Sequence, residues 1–364
     1  MMKPHFGPSE HIRVGLRELQ KYFDIELLVL GKYEEPVEKP GIRSFTKGRA
    51  VGNGFVGLLR DVKLLLQSNR GKKKLREILR HKRLDFIYER GQYLDLRGVC
   101  AAKELGIKHF YEVNWLNFLG IQQFYRSWFN STARRIEEYS YRKSTLNFFI
   151  GTQHKLISIP DNKVSIIQNG IHEALLHQHR DRINSVEGKI KICFVANLMP
   201  HHRFDLLVQA LKINPLLADK YELHTVGYNF EEQLHELPGN LRVFSHGPTK
   251  KEDLPGILSA CNIGLITGGP SYSSFMKLFE YAAFKHCVVC PDLENIRLMF
   301  DKSEIAYFDT DNAASLAGTL KQISENPSMM QQSGVNIYNK VLQQFTWERI
   351  YESVSKQISK AVPV

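Results

Sequence analysis

Lys277 and Glu280 are the two charged residues of a stretch that is otherwise almost entirely apolar. The stretch covers 275–284 and reads FMKLFEYAAF, which predicts a mostly buried helix. Residues three positions apart on a helix share a face, so this lysine and this glutamate are neighbours. Near a helix N-terminus, free N–H groups and a lysine would bind phosphate, and a glutamate would accept hydrogen bonds from a diol. The alternative is an ordinary salt bridge at the edge of a core.

The residues around this helix predict a strand–turn–helix–strand unit. The apolar run Ile263–Ile266 predicts a buried strand, and the segment Thr267–Ser271 contains two glycines and a proline, which turn the chain. Ser273 or Ser274 is expected to cap the helix. A second apolar run, Val288–Cys290, predicts the next strand. In sheets built from such units, ligands bind beyond the carboxyl ends of the strands.

The segment from Ser274 to Tyr281, with its KLFEY run, resembles the donor-binding helix of glycosyltransferase family 4, a large retaining group with the GT-B fold. The resemblance implies that Glu280 binds the ribose of a nucleotide-diphosphate sugar. The family has another glutamate eight positions earlier, where this chain has Tyr272. The run FTWER, at 345–349, is similar to the start of the family's closing helix.

The resemblance covers most of the chain and implies further donor-binding residues, some of which depart from the family's pattern. The family has Gly-Arg after the strand that opens the second domain, and Lys-Gly before the next helix. Those positions here are Ala196-Asn197 and His202-Arg203, so Arg203 would supply its charge from one position later. The donor-binding set implied by the resemblance is Gly7, Asn197, His202, Arg203, Gly227, Gly247, Pro248, Tyr272, Ser273, Lys277, Leu278 and Glu280.

Three polar residues of the first half stand at the ends of predicted strands and are expected on the acceptor side. They are Arg90, Glu112 and Asn114. Side chains at strand carboxyl ends line the ligand crevice of a doubly wound sheet. Asn114 takes the place of a histidine that contacts the sugar in the family, and it joins Lys277 and Glu280 as a predicted catalytic residue.

The alternation of strands and helices predicts an α/β protein with two Rossmann-like doubly wound domains facing a cleft, which is the GT-B architecture. We place an acceptor-side domain at 1–172, a donor domain at 188–344 and a returning C-terminal helix at 345–364. Ile25–Leu30 is predicted to be a strand. The strand that precedes the Gly7 loop in the family is missing, so we expect the true start of the protein to lie upstream of Met1.

Composition narrows the class of protein. No run of about 18 apolar residues occurs, so no transmembrane helix is predicted, and five scattered cysteines indicate a reduced, cytoplasmic protein. Cys287 and Cys290 form a C-x-x-C within a predicted strand, which favours core packing over a metal or redox role. Asp309 and Asp311 resemble a metal-binding pair, but their position before a helix predicts a cap. No metal and no cofactor is expected.

Positive charge is concentrated in the first half. Residues 1–170 contain 30 Lys and Arg against 17 Asp and Glu, a net charge of +13, and the remaining residues have a net charge of −2. This asymmetry indicates an anionic partner: a membrane face, an anionic glycan or nucleic acid. The half lacks an RRM, KH or zinc signature, which disfavours nucleic acid.

The densest basic stretch is 70–83, where Leu75, Ile78 and Leu79 sit at helical spacing and would face the core. Its basic residues then form either a solvated face or a surface that adsorbs to anionic lipid without inserting. Peripheral association with the inner face of the membrane is therefore one hypothesis.

Taken with the resemblance, these residues predict a retaining, metal-independent glycosyltransferase. It would move a sugar from a nucleotide-diphosphate sugar to a glycan or lipid-linked acceptor, in surface polysaccharide or glycoconjugate synthesis. The alternative is a catalytically weak nucleotide-sugar binding protein of the same fold, because Tyr272, Asn197 and His202 depart from the family's pattern.

Overall fold

The computed structural model describes residues 7–29, 54–119, 127–250 and 252–362. The chain divides into two compact units, each with its own sheet. The first unit comprises residues 1–168 together with 351–364, and the second comprises residues 169–350. Both sheets are parallel, as expected of an α/β protein with two Rossmann-like domains.

The first unit contains a four-stranded parallel sheet in the order β1-β2-β3-β4. Its strands are β1 (Phe86–Glu89), β2 (Lys108–Val113), β3 (Leu146–Ile150) and β4 (Val164–Ile167). Its helices are α1 (Gly7–Leu19), α2 (Gly54–Arg80), α3 (Arg97–Leu105) and α4 (Asn130–Lys143). The two central strands are almost wholly buried, since helices cover both faces of a parallel sheet.

α2 is one continuous helix of 27 residues, and the basic stretch predicted at 70–83 forms its second half through Arg80. The helix continues because its buried face stays in phase along its whole length. Leu75 and Leu79 are buried on this face against Ala101 of α3, with Ile78 beside them, which confirms the predicted core positions.

The predicted strand at 25–30 is wrong for the part that the structure describes. Residues 24–29 have no ladder hydrogen bonds, and Leu27, Leu28 and Val29 are substantially exposed. The apolar run therefore covers no sheet face here. Leu30, the last residue of that predicted strand, and residues 1–6, before the Gly7 loop, lie outside the described residues.

The second unit contains a six-stranded parallel sheet in the order β10-β9-β8-β5-β6-β7. Its strands are β5 (Ile190–Val195), β6 (Tyr221–Val226), β7 (Arg242–Ser245), β8 (Ile263–Leu265), β9 (Cys287–Pro291) and β10 (Ile305–Phe308). The chain adds β6 and β7 on one side of β5 and then returns to add β8, β9 and β10 on the other. The direction of winding therefore reverses between β5 and β8.

Ten α-helices follow β4 in the described part of the chain, and the first nine lie wholly in the second unit, where they connect and cover these strands. The ten are α5 (Glu173–Gln178), α6 (Phe204–Ile213), α7 (Leu217–Lys220), α8 (Glu231–Leu234), α9 (Leu254–Ser259), α10 (Met276–Ala283), α11 (Glu294–Arg297), α12 (Ala313–Glu325), α13 (Pro327–Gln344) and α14 (Trp347–Ala361). From Tyr351 onward α14 belongs to the first unit.

Two apolar cores sandwich the second sheet. Along β5, Ile192 and Phe194 point into one core, and Cys193 points into the other. This alternation follows from the two-residue period of a strand. The helix with Lys277 and Glu280, α10, packs in the second core through Leu278, Phe279 and Tyr281.

Candidate functional site

The carboxyl ends of β5 and β8 are adjacent, at the point where the winding of the second sheet reverses. The loop Ala196–Arg203 follows β5, and the loop Ile266–Phe275 follows β8 and leads into α10. In doubly wound sheets this topological switch point is where ligands bind. The sequence-predicted residues Asn197, His202, Tyr272, Ser273 and Lys277 all belong to these two loops or to the first turn of α10.

α10 begins at Met276, within one residue of the predicted start, but no serine caps it. The N-cap residue is Phe275, and its side chain makes no capping hydrogen bond. Ser274 instead bonds to Asn169: the Asn169 N–H donates to Ser274 Oγ at 2.9 Å, and Asn169 Nδ2 donates to the Ser274 carbonyl at 2.6 Å. The predicted serine cap is wrong because a distant segment already occupies this hydroxyl.

Lys277 lies in the first turn of α10, and its ammonium group faces the end of β5. Its Nζ donates to the carbonyl of Val195 at 3.4 Å and lies 5.6 Å from the centre of the Phe194 ring. Burial lowers the pKa of Lys277 to about 8, although the nearby Glu280 carboxylate favours the charged form. A cation whose charge is disfavoured by burial is costly to hold, and such groups are frequent at functional sites.

Tyr281, one turn further along α10, fixes the helix against β5. The Val195 N–H donates to Tyr281 Oη at 3.0 Å. Gly264 in β8 makes room for this ring, because a Cβ at that position would lie 2.2 Å from Tyr281 Cγ. The side chains of Lys277 and Tyr281, four residues apart, therefore bind both main-chain polar groups of the last residue of β5.

His202 ends a short 3₁₀ turn, Pro200–His202, in the loop after β5. The Met199 N–H donates to His202 Nδ1 at 3.0 Å, so the neutral imidazole carries its proton on Nε2. Burial, Lys277 and His201 lower the pKa of His202 to about 3. His202 is therefore a neutral hydrogen-bond donor at the position where the resembling family has a charged lysine.

The Arg203 guanidinium group, which is predicted to act as a phosphate cation, pairs with two carboxylates. It bonds to Asp205 at 3.0 Å and also to Asp311. Asp311 thus pairs with Arg203, and the cap predicted at Asp309–Asp311 is wrong by one residue. Asn312 is the cap of α12, since its side chain accepts from the Ser315 N–H at 3.0 Å.

Glycines shape the ends of β6 and β7. Gly227 has φ +123°, and a Cβ there would lie 1.9 Å from the carbonyl oxygen of Ala196. Its N–H donates to the carbonyl of Gly247 at 2.8 Å, so the loops after β5, β6 and β7 are held together. Gly247 has φ +60°, and both Pro248 and Asn197 are exposed beside these loops.

The loop before α10 is held by a residue that sequence reasoning missed. Asn295, whose side chain is fully buried, donates from Nδ2 to the Ser273 carbonyl at 3.0 Å and from its N–H to the Ser271 carbonyl at 3.1 Å. Tyr272, between these carbonyls, is half-buried. Leu278 lies wholly in the core, and its N–H bonds to the Phe275 carbonyl at 3.1 Å. It therefore has no exposed group with which to make the predicted contact to the nucleotide-sugar.

In the first unit, the predicted acceptor-side residues Arg90 and Glu112 bond to each other. Glu112 is 2% exposed and lies 3.1 Å from both Arg90 Nε and His11 Nδ1. Tyr351 of α14 donates to it at 3.0 Å, and Tyr88 also donates to it. Glu112 is therefore sealed from solvent by the donors around it and does not line the acceptor side as predicted. Asn114 is partly exposed, and Gly7 begins α1.

Within the described ranges, no group of three or more His, Cys, Asp or Glu residues is arranged to hold a metal ion. Cys287 and Cys290 are buried in β9. The described helices include none that is both long enough and apolar enough to cross a membrane.

Comparisons with known proteins bear on both units. Residues 203–355 match a family model described as "Glycosyl transferase-like". No curated protein matches the chain in sequence. The structure of HepE from Anabaena in complex with UDP is similar, with a TM-score of 0.64 and 17% identity over 81% of this chain and 82% of that one.

Two further solved structures have the same fold. Sucrose-phosphate synthase from Thermosynechococcus elongatus has a TM-score of 0.62 and 16% identity over 82% of this chain and 79% of its own. A glycosyltransferase from Rickettsia africae has a TM-score of 0.61 and 15% identity over 87% and 84%. The chain therefore has the GT-B fold of glycosyltransferases, and its residues 203–355 resemble a glycosyltransferase-like family.

Proposed function

We propose that the chain is a retaining, metal-independent glycosyltransferase that uses a nucleotide-diphosphate sugar. The observation that carries this proposal is the placement of Lys277 and Glu280 on the first turns of α10, beside the switch point of the second sheet. The family match over 203–355 and the UDP bound to HepE support the same donor chemistry.

In this proposal Lys277 stabilises the negative charge that develops on the departing diphosphate, together with the N–H groups of the first turn of α10. His202 adds one neutral Nε2–H donor. Glu280 accepts hydrogen bonds from the ribose and orients the donor. As the resemblance implies, the departing phosphate would accept the proton of the acceptor hydroxyl in a front-face displacement, so no protein general base is required.

The acceptor we propose is a glycan or a lipid-linked glycan of surface polysaccharide or glycoconjugate synthesis. The excess of 13 positive charges in residues 1–170 favours association of the enzyme with an anionic membrane surface. Asn114, partly exposed at the end of β2, stays our candidate for contact with the reacting sugar.

The competing function is a nucleotide-sugar binding protein with little turnover. Two observations favour it: the Arg203 guanidinium is already paired with Asp205 and Asp311, and His202 brings no charge. Turnover of radiolabelled nucleotide-sugars, measured after a thermal-shift screen has found the preferred donor, separates the two functions. Undiminished turnover in the presence of a chelator is expected for a metal-independent enzyme.

Glu280 gives the most direct test of the donor site. Glu280→Ala should weaken nucleotide-sugar binding by about 2 kcal/mol, because charged hydrogen bonds in a dry site are lost. Glu280→Gln, which keeps the shape, should lose less. Titration calorimetry of both variants with the donor from the screen measures the effect, and an unchanged Kd in Glu280→Ala would refute the assignment.

A further inference from the structure

The outward face of α2 has an apolar stripe that the part of the chain described by the structure leaves exposed. Phe55, Leu59, Val62 and Leu66 are 66%, 55%, 38% and 50% exposed. Their spacing of four, three and four residues puts them in one line along a helix, over about 16 Å. An exposed contiguous apolar surface of this kind marks an interaction site.

The fold does not require this stripe. The opposite face of α2 packs on the first unit through Asp61, Ser68, Leu75 and Leu79, all of which are buried. Leu64 and Leu65 pack against the core from the same side. The four exposed residues therefore contribute little to the core, and a partner that covers the aligned stripe would account for its apolar character.

The same face of α2 becomes basic along its second half. Arg70, Lys73 and Arg80 continue the line of the stripe and are exposed, with Glu77 among them. Lys63 and Lys74 are exposed on one flank. One helix face thus presents apolar residues over its first three turns and cations over its last three.

An exposed tryptophan lies next to this helix. The Trp128 N–H donates at 3.1 Å to Asp61 of α2, and the Trp128 side chain is 64% exposed. Tryptophan is enriched where an apolar region meets water and lipid headgroups.

We propose that this outer face of α2 docks the protein on an anionic membrane surface, with the apolar stripe inserted among the headgroups and the basic half lying on lipid phosphates. Amphipathic helices that bind in the plane of the interface combine these two features. This proposal extends the membrane association proposed above. It differs from the sequence-based expectation of adsorption without insertion, because the exposed apolar side chains of residues 55–66 would also contribute to binding.

Charge complementarity favours lipid over a protein partner. The cations flank the stripe on one helix face, and the whole first half has an excess of 13 positive charges. A bilayer leaflet that contains anionic lipid matches both the apolar and the positive parts at once. A second copy of the same chain would bring equal positive charge to the contact.

The experiment compares vesicle co-sedimentation of the full chain and of variants. The vesicles contain phosphatidylcholine with or without phosphatidylglycerol. Leu59→Ser/Leu66→Ser should reduce binding to the anionic vesicles at least about tenfold, since two apolar side chains are lost. Leu216→Ser/Leu298→Ser removes two exposed leucines of the second unit and is the matched control, with unchanged binding. Arg70→Gln/Lys73→Gln/Arg80→Gln should also reduce binding and should weaken its dependence on salt.

Three results would overturn the proposal. They are wild-type protein that does not bind anionic vesicles, a stripe variant that binds as the wild type does, and equal binding to neutral and anionic vesicles. Light scattering gives a fourth: if the stripe variant converts a dimer into a monomer without a change in vesicle binding, the surface is a protein interface. Thermal unfolding checks that the variants fold. Calorimetry with the donor keeps this test apart from the proposed function, since the stripe variant should bind the donor normally.

Discussion

The main-chain N–H of Val195 donates a hydrogen bond to Tyr281 Oη at 3.0 Å, which fixes α10 to the last residue of β5. The carbonyl of the same residue accepts from Lys277 Nζ at 3.4 Å. Because both side chains come from one helix face, the position of Lys277 is determined by the packing of Tyr281 in the core. The cation of the candidate site is thus positioned by a buried aromatic residue one turn away.

Lys277→Met should make the protein without ligand more stable at pH 7 while it abolishes nucleotide binding. Burial lowers the pKa of Lys277 from 10.5 to about 8, so the charged form is disfavoured in the folded state. The free energy of unfolding should gain about 2 kcal/mol in the variant at pH 7, after allowance for the lost attraction to Glu280. In the wild type, the destabilisation caused by the buried charge of Lys277 should decrease as the pH rises from about 8 to 10.5. Denaturant unfolding at several pH values measures both effects, with exposed Lys212→Met as the control.

His202 should stay neutral and keep its proton on Nε2 across the physiological pH range. The Met199 N–H donates to Nδ1, and burial with the nearby Lys277 lowers the pKa to about 3. Nitrogen NMR of the labelled imidazole reads the tautomer directly, and a titration of His202 near its ordinary pKa would contradict the assignment. His202→Asn should keep the bond from Met199 and lose the Nε2 donor, so it should weaken nucleotide binding with little effect on stability.

Gly227→Ala should destabilise the second unit by at least about 3 kcal/mol. The backbone at this residue has φ +123°, and the new Cβ would lie 1.9 Å from the Ala196 carbonyl oxygen. The loops after β5 and β6 cannot both keep their positions, so donor binding should fall as well. Gly239→Ala is the matched control, since a Cβ there meets no atom within 4 Å. Thermal unfolding of the two variants makes the comparison, and equal Tm values would contradict the prediction.

Glu112→Gln should destabilise the protein by about 3 kcal/mol at pH 7, because Arg90 and His11 lose a buried partner. Burial alone raises the pKa of Glu112, but Arg90, His11 and Tyr88 outweigh it and lower the value to about 2. A lowered carboxyl pKa gives stability above the unfolded value, and this stability is lost as the pH falls from about 4.5 through 2. In the variant, the free energy of unfolding should not show this loss as the pH falls. Glu104→Gln, at an exposed ion pair with Arg76, should be nearly neutral.

Local pattern was enough to predict much of the fold. The strands predicted at Ile263–Ile266 and Val288–Cys290 are found at Ile263–Leu265 and Cys287–Pro291, and the helix predicted at 275–284 is found at Met276–Ala283. Such elements follow from apolar periodicity and turn residues, which act over a few positions. The pairing of Lys277 and Glu280 on one helix face has the same local origin.

Tertiary structure decided which polar groups pair and which helix faces stay exposed. Ser274 bonds to Asn169 across 105 residues, Arg203 pairs with Asp311 across 108, and Glu112 meets Tyr351 across 239. A buried polar group takes whatever partner packing brings near it, and no local pattern encodes that partner. The same holds for α2, where leucines occur on both sides of the helix. Packing on the core buries Leu64 and Leu65 in part and leaves Leu59 and Leu66 facing outward.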